Sequence, residues 1–283
     1  MTLHTKIISA ILALASISLG STDAFGKTGI LMAHYGTRND ASRHATIDYL
    51  DSVVSRTFPK CEVVEGYAAA SVVSALNKRG IHKLNISQAI DRLSALGCDT
   101  IAIQSTMLLD GNMTDIIQSE AIQKKSLFKS ICIGRPLLYS VDDCRKMVVM
   151  ISRNLSSHGG NTNANKTHVV LVGHGSDSPA NAIYSQIDYL LTDEGKPNWH
   201  VGTIEGYPTI DGVMHRLKNS ECRHVILVPL LYIAGNHLRD DIDGVWRKKL
   251  QAAGYSVDVM KCGLGEMPEI QQLILDKIEE LLK

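Results

Sequence analysis

The stretch His168-Val-Val-Leu-Val-Gly-His-Gly-Ser-Asp177 decides how this chain is read. Val169 to Gly173 is a short apolar run rich in β-branched residues, the pattern of a parallel strand buried on both faces. It stops at Gly-His-Gly-Ser-Asp-Ser-Pro, a turn cluster, and a helical pattern begins at Ala180. In an open α/β sheet, ligands bind beyond the carboxyl ends of the strands. His174 therefore sits at a strand tip, between two glycines that leave room around its imidazole. Alone, it reads equally well as a strand-end histidine with no special task.

Working outward, the same order of elements occurs twice. Gly29 to His34 is a strand ending in His34-Tyr-Gly-Thr-Arg38, followed by a helix from Ala45 to Thr57. Strands follow at Cys61–Tyr67, Thr100–Thr106 and Ser130–Gly134, with helical patterns at Ala69–Lys78, Ser87–Leu96 and Val141–Asn154. After a polar, glycine-containing stretch the order restarts. Strands are expected at His168–Gly173, His200–Tyr207, His224–Leu231 and Tyr255–Lys261, and helices at Pro179–Asp193, Ile210–Lys218, Leu238–Ala253 and Pro268–Leu282. His34 matches His174, and Glu65-Gly-Tyr67 matches Glu205-Gly-Tyr207. Arg92…Cys98 matches Arg216…Cys222, and Gly111-Asn112 matches Gly235-Asn236. The expectation is α/β: two similar parallel-sheet domains, produced by internal duplication, around a central cleft where strand tips face one another. Their extents are 27–155 and 168–283, joined by a linker at 156–167.

Composition narrows the partners. With 283 residues, 45% hydrophobic and 20% charged, the chain can bury full cores as a soluble globular protein. Zero formal net charge excludes a global field toward nucleic acid or anionic membrane. Lys6 followed by the apolar run Ile7–Leu19 and by Ala24-Phe-Gly26 reads as a signal peptide over 1–26. The expected location is the periplasm, with no later segment able to span a bilayer. Export permits disulfides, but the six cysteines show no C-x-x-C spacing and the sequence assigns no pairing. His44, His82, His158 and His215 read as surface residues, and a homo-oligomer stays open.

In the second half three tips bring His174, Glu205 and His237. Two imidazoles and a carboxylate from neighbouring strands form a divalent-metal set with open positions. Singly, Glu205 reads as a strand-end carboxylate held by backbone N–H groups, and His237 as a solvent-facing residue at a helix start. The first half has Met113 where His237 falls, so one complete metal site is expected. Other readings fail: Gly173 stands where a phosphohistidine mutase carries arginine, Ser176 lacks a G-x-S-x-G frame, and Asp177 sits where a phosphate loop would meet its anion.

Gly-His-Gly-Ser, Ile-Glu-Gly-Tyr-Pro and Val-Pro-Leu-Leu-Tyr-Ile-Ala-Gly-Asn-His-Leu-Arg-Asp-Asp-Ile together resemble the anaerobic sirohydrochlorin cobaltochelatases, class II chelatases related to ferrochelatase. The resemblance spans the chain after its signal segment. It implies a chelatase, a lyase inserting Co²⁺, or Fe²⁺, into sirohydrochlorin during anaerobic cobalamin and tetrapyrrole biosynthesis. It implies His174, Glu205 and His237 as metal ligands and His174 as proton acceptor. The donor set suits Ni²⁺ and Zn²⁺ as well. Arg38 and Arg239 are candidates for the substrate's carboxylates, and Tyr35, Tyr207 and Tyr232 for its ring plane. Export departs from the family's usual setting. It keeps two alternatives open, a non-catalytic periplasmic carrier of haem or metal and a periplasmic solute-binding protein; haem binding itself stays undecided.

Overall fold

A computed structural model describes residues 26–157, 167–218 and 220–283. The expected signal segment, apart from Gly26, and most of the expected linker, with His158, lie outside the described residues. Among those described, no helix is long and apolar enough to cross a membrane.

Two four-stranded sheets form, and every strand pair is parallel. The first holds β1 (Lys27–His34), β2 (Glu62–Tyr67), β3 (Cys98–Ser105) and β4 (Ser130–Ile133) in the order β2-β1-β3-β4. The second holds β5 (His168–Gly173), β6 (Trp199–Thr203), β7 (His224–Leu230) and β8 (Ser256–Val259) in the order β6-β5-β7-β8. The chain runs to one side of the central strand and then returns to the other. That reversal opens a crevice at the tips of β1 and β5, the usual ligand position in such sheets. β5 is buried along its whole length, as its unbroken apolar run requires.

Each half contributes its last helix to the other. The helix Pro268–Leu281 lies on β3 and against the helix Tyr49–Thr57 of the first half. The helix Val141–Ser157 lies against Ala182–Asp193 of the second. One apolar cluster consequently runs through both halves, from Ile30, Met32 and Leu50 to Val169, Leu171 and Ile274. Division at the linker separates the sheets but not the core.

Other expectations are adjusted locally. The first helix starts earlier than Ala45, at Asp40, where the Asn39 side chain accepts the Ser42 N–H. A helix at Asn112–Gln123 was not expected from sequence. Its apolar residues do not share one face: Ile117 and Ala121 are buried, whereas Ile116 and Ile122 are exposed. All six cysteines, each among the described residues, are free. His44, His82 and His215 are exposed, as expected.

Candidate functional site

The tips of the two sheets meet across a cleft. A methyl group placed on Gly111, beyond β3, would stand 3.9 Å from Ser178 Oγ in the loop after His174. One placed on Gly235, beyond β7, would stand 3.9 Å from Ser42 Oγ of the first half.

On the second-half wall His174 and His237 are brought together. Their ring centroids are 4.8 Å apart and the planes are nearly perpendicular, at 87°. His174 Nδ1 lies 3.1 Å from the Gly175 carbonyl oxygen, which can only accept, so Nδ1 carries the proton. His237 Nδ1 lies 2.8 Å from Asp241 Oδ2 and donates to that carboxylate. Among the described residues no group engages Nε2 of either ring, the arrangement that orients an imidazole for a metal ion. Asp241 lies one helical turn past His237, in a π-helical segment, Leu238–Trp246. Such segments concentrate at functional sites. In the sequence Asp241 stands within Asn-His-Leu-Arg-Asp-Asp-Ile with no evident task; its i, i+4 spacing from His237 is the signal that points to it.

Glu205 lies just past β6 rather than inside a strand running to Tyr207. Its N–H donates to the His174 carbonyl oxygen at 2.7 Å, and its side chain is exposed. Gly175 makes this approach possible: its φ is 89°, and a Cβ there would fall 1.2 Å from the Glu205 carbonyl oxygen. Among the described residues, no three His, Cys, Asp or Glu side chains are gathered closely enough to enclose a metal ion in this conformation.

The first half treats its histidine differently. His34 is fully buried, with Nε2 3.0 Å from Asp51 Oδ1 and Nδ1 3.0 Å from Thr106 Oγ1. Nε2 donates to the carboxylate and Nδ1 accepts from the hydroxyl, leaving no lone pair free. The expected equivalence of Glu65 and Glu205 is corrected by strand register. Ala68 N–H donates to the His34 carbonyl at 2.7 Å, as Glu205 N–H does to His174, so Ala68 stands where Glu205 stands. Glu65 is three residues earlier, inside β2, bound to Lys83 Nζ at 2.5 Å. Burial raises its carboxyl pKa despite Lys83, and burial likewise pushes the Tyr67 hydroxyl far up. Met113 does match His237, each ten residues beyond the β3 or β7 residue whose carbonyl accepts Gly134 N–H or Met260 N–H.

Of the substrate candidates, Tyr35 and Tyr207 are exposed at tips, 50% and 64%. Arg38 is exposed, and its carbonyl accepts from Arg79 at 2.9 Å. Arg239 is exposed but engaged by both oxygens of Asp240 at 2.7 Å. Tyr232 is buried within the shared core, which removes it from the ring-stacking candidates.

A cobalt chelatase (CbiK) family model matches residues 28–283. The sirohydrochlorin cobaltochelatase of Salmonella typhimurium is 27% identical over 261 residues, 90% of this chain and 97% of that protein. The sirohydrochlorin cobaltochelatase CbiKC of Nitratidesulfovibrio vulgaris is 26% identical over 260 residues, covering 89% of each. Among solved structures, SirB from Bacillus subtilis with Fe³⁺ superposes with a TM-score of 0.70 at 18% identity, over 90% of this chain and 95% of that one. SirB of Bacillus subtilis subspecies spizizenii, in complex with cobalt, gives 0.63 at 16% identity over the same shares. These two likenesses establish the fold.

Proposed function

The chain belongs to the cobalt chelatase (CbiK) family, and from that premise we propose that it inserts a divalent metal ion into sirohydrochlorin. The observation that carries the reading is the pair of anchored imidazoles, each with Nε2 free, on a cleft wall that faces the other half.

Insertion requires loss of two pyrrole N–H protons and of the metal ion's water shell. The Nε2 atoms of His174 and His237 take the incoming ion, and the Glu205 carboxylate closes on it as the third donor. Three donors leave positions open, so the ion passes to the macrocycle rather than being kept. His174 Nε2 accepts one pyrrole proton as the ion leaves it, and the second passes to solvent water in the cleft; a neutral imidazole suits both tasks near neutral pH. Asp241 keeps the His237 proton on Nδ1 and fixes its ring plane. Tyr35 and Tyr207 cover the macrocycle, and Arg38 meets a substrate carboxylate more readily than Arg239, whose guanidinium must first leave Asp240.

Co²⁺ is the first substrate metal in this reading, with Fe²⁺ the second. The family description and the names of the curated relatives support cobalt, while an N/O donor set of this kind does not choose among these ions by affinity alone. The apolar run Ile7–Leu19 supports export. The protein recovered from its native envelope should lack about its first 26 residues by intact mass, and a retained Met1 would overturn that placement.

The test is an absorbance time course on mixing the protein, sirohydrochlorin and Co²⁺, with Fe²⁺ in competition. A protein-dependent shift to the metallated spectrum is expected. A bound pigment that never acquires metal would replace the chelatase with a tetrapyrrole carrier.

A further inference from the structure

One side chain joins the loops that carry His174 and Glu205. Ser176 N–H donates to Asn181 Oδ1 at 2.9 Å, and Asn181 Nδ2 donates to the Tyr207 carbonyl oxygen at 2.7 Å. Both loops are shaped around this amide. Gly206 takes a φ of 109°, and a Cβ there would lie 2.8 Å from Asn181 Oδ1 and 3.2 Å from Ser176 N. Backbone joins the two loops here through Glu205 N–H, which donates to the His174 carbonyl at 2.7 Å.

The first half shows what the amide replaces. Its corresponding loops are joined by two backbone bonds, Ala68 N–H to His34 O at 2.7 Å and Ala69 N–H to Tyr35 O at 3.2 Å. The Asn39 side chain, at the start of the helix there, caps that helix by accepting Ser42 N–H at 3.0 Å. In the second half the chain past Glu205 turns away with Gly206, and the Asn181 amide holds the loops together instead. A backbone-to-backbone ladder fixes the loops as a sheet extension, with side chains alternating above and below. An amide bridge lets the loop turn and hold a carboxylate where a ladder would not direct it.

We propose that Asn181 is a positioning residue that sets the distance between the Glu205 carboxylate and the imidazoles of His174 and His237, so that the three donors can close on one divalent ion. The inference rests on the reading of those three residues as metal donors. Asn181 itself touches neither ion nor macrocycle. Without it, Ser176 N–H and the Tyr207 carbonyl turn to water, and the two loops must be ordered by the ion at the moment it binds.

The experiment compares wild type with Asn181→Ala and Asn181→Asp. Co²⁺ affinity is read by calorimetry, kcat and the KM for Co²⁺ by the insertion assay, metal-free sirohydrochlorin binding by fluorescence, and thermal melting by circular dichroism. Asn181→Ala is expected to weaken Co²⁺ binding by about tenfold, the scale of lost outer-shell support. Its KM for Co²⁺ should rise in parallel while sirohydrochlorin affinity is unchanged. Asn181→Asp keeps the acceptor for Ser176 N–H but loses the donor to Tyr207, so it should fall between the two. A lower melting temperature with wild-type Co²⁺ affinity would make the residue merely structural and overturn the proposal. Should Asn181→Ala not fold, Asn181→Asp decides by the same titration, and wild-type affinity there is equally fatal. Wild-type protein that binds Co²⁺ without inserting it would sink the chelatase reading alone, because the clamp is judged by affinity.

Discussion

The two halves share strand order, a histidine at the tip of the central strand and a backbone N–H donated to that histidine's carbonyl, yet only one half builds a candidate site. In the first half Asp51 and Thr106 occupy both imidazole nitrogens of His34, and the ring is sealed from solvent. In the second half Gly175 and Asp241 occupy only the Nδ1 atoms of His174 and His237. A carboxylate beside a histidine therefore decides nothing until the nitrogen it engages is known. On Nδ1 with the far nitrogen open, it prepares a ligand; where a second group takes the other nitrogen, it makes a buried strut.

The largest expected effect separates the two histidines. His174→Ala removes a donor and the proton acceptor together, so initial insertion rate should fall by at least roughly 10²–10⁴-fold, the range for a general base. His34→Ala should leave Co²⁺ affinity intact but lower the melting temperature, because Asp51 and Thr106 lose their buried partner at a cost of about 1–3 kcal/mol. Loss of Co²⁺ binding in His34→Ala would break the comparison.

Next come the carboxylates. Asp241→Asn should weaken Co²⁺ binding by about 10–100-fold with little change in melting. Asp51→Asn should do the reverse, and calorimetry with thermal melts on both variants shows whether the effects sort by half.

A smaller effect concerns acid. At the amino-terminal ends of β5 and β6, His168 Nδ1 and His200 Nε2 lie 3.2 Å apart, both buried. Burial, with Arg216 and His168 beside it, takes His200 down to about 3; burial, with Arg223 nearby, lowers His168 as well. Arg216 is itself tied to Asp188 and to the Val201 carbonyl. The folded state keeps these rings neutral, whereas the unfolded chain protonates them near pH 6.5. Their contribution is therefore complete above that value and lost as pH falls from about 6.5 toward about 3. His200 alone should cost about 2 kcal/mol by pH 5. Denaturant melts of wild type should weaken over that window, and His200→Gln should flatten the slope; an unchanged slope would remove His200 as the cause.

The smallest expected effect is none. Ala68→Glu with Met113→His places a carboxylate and an imidazole at the first-half positions matching Glu205 and His237. Co²⁺ stoichiometry should stay at one per chain, because His34 still has no free lone pair. A second bound ion would show that the missing donors, not the buried histidine, silence the first half.

Much of this was legible in the sequence because it depends on local pattern. The unbroken apolar run of β5, its arrest at Gly-His-Gly and the repeated strand–helix order suffice for two parallel sheets with His174 at a tip. The matching of Glu65 to Glu205 failed because Glu-Gly-Tyr recurs at the same spacing from each histidine while the neighbouring strand pairs three residues out of step. Register is a property of two strands, and a one-dimensional match does not contain it. The Asn112–Gln123 helix escaped for a different reason: two of its isoleucines face outward, blurring the period that would announce it. Asn181 and Asp241 gain meaning only from what they touch.

The exchanged helices have a consequence in time. The first sheet is complete by Ile133, yet of the helices packed on β3 one, Ile86–Ala95, precedes it and the other, Pro268–Leu281, follows more than a hundred residues later. At about 5–20 residues per second, a ribosome needs on the order of ten seconds or more between finishing β3 and delivering that helix. Throughout that interval one face of β3 waits without its cover. The first half is thus built to mature late, and its core stays unfinished until Pro268–Leu281 arrives.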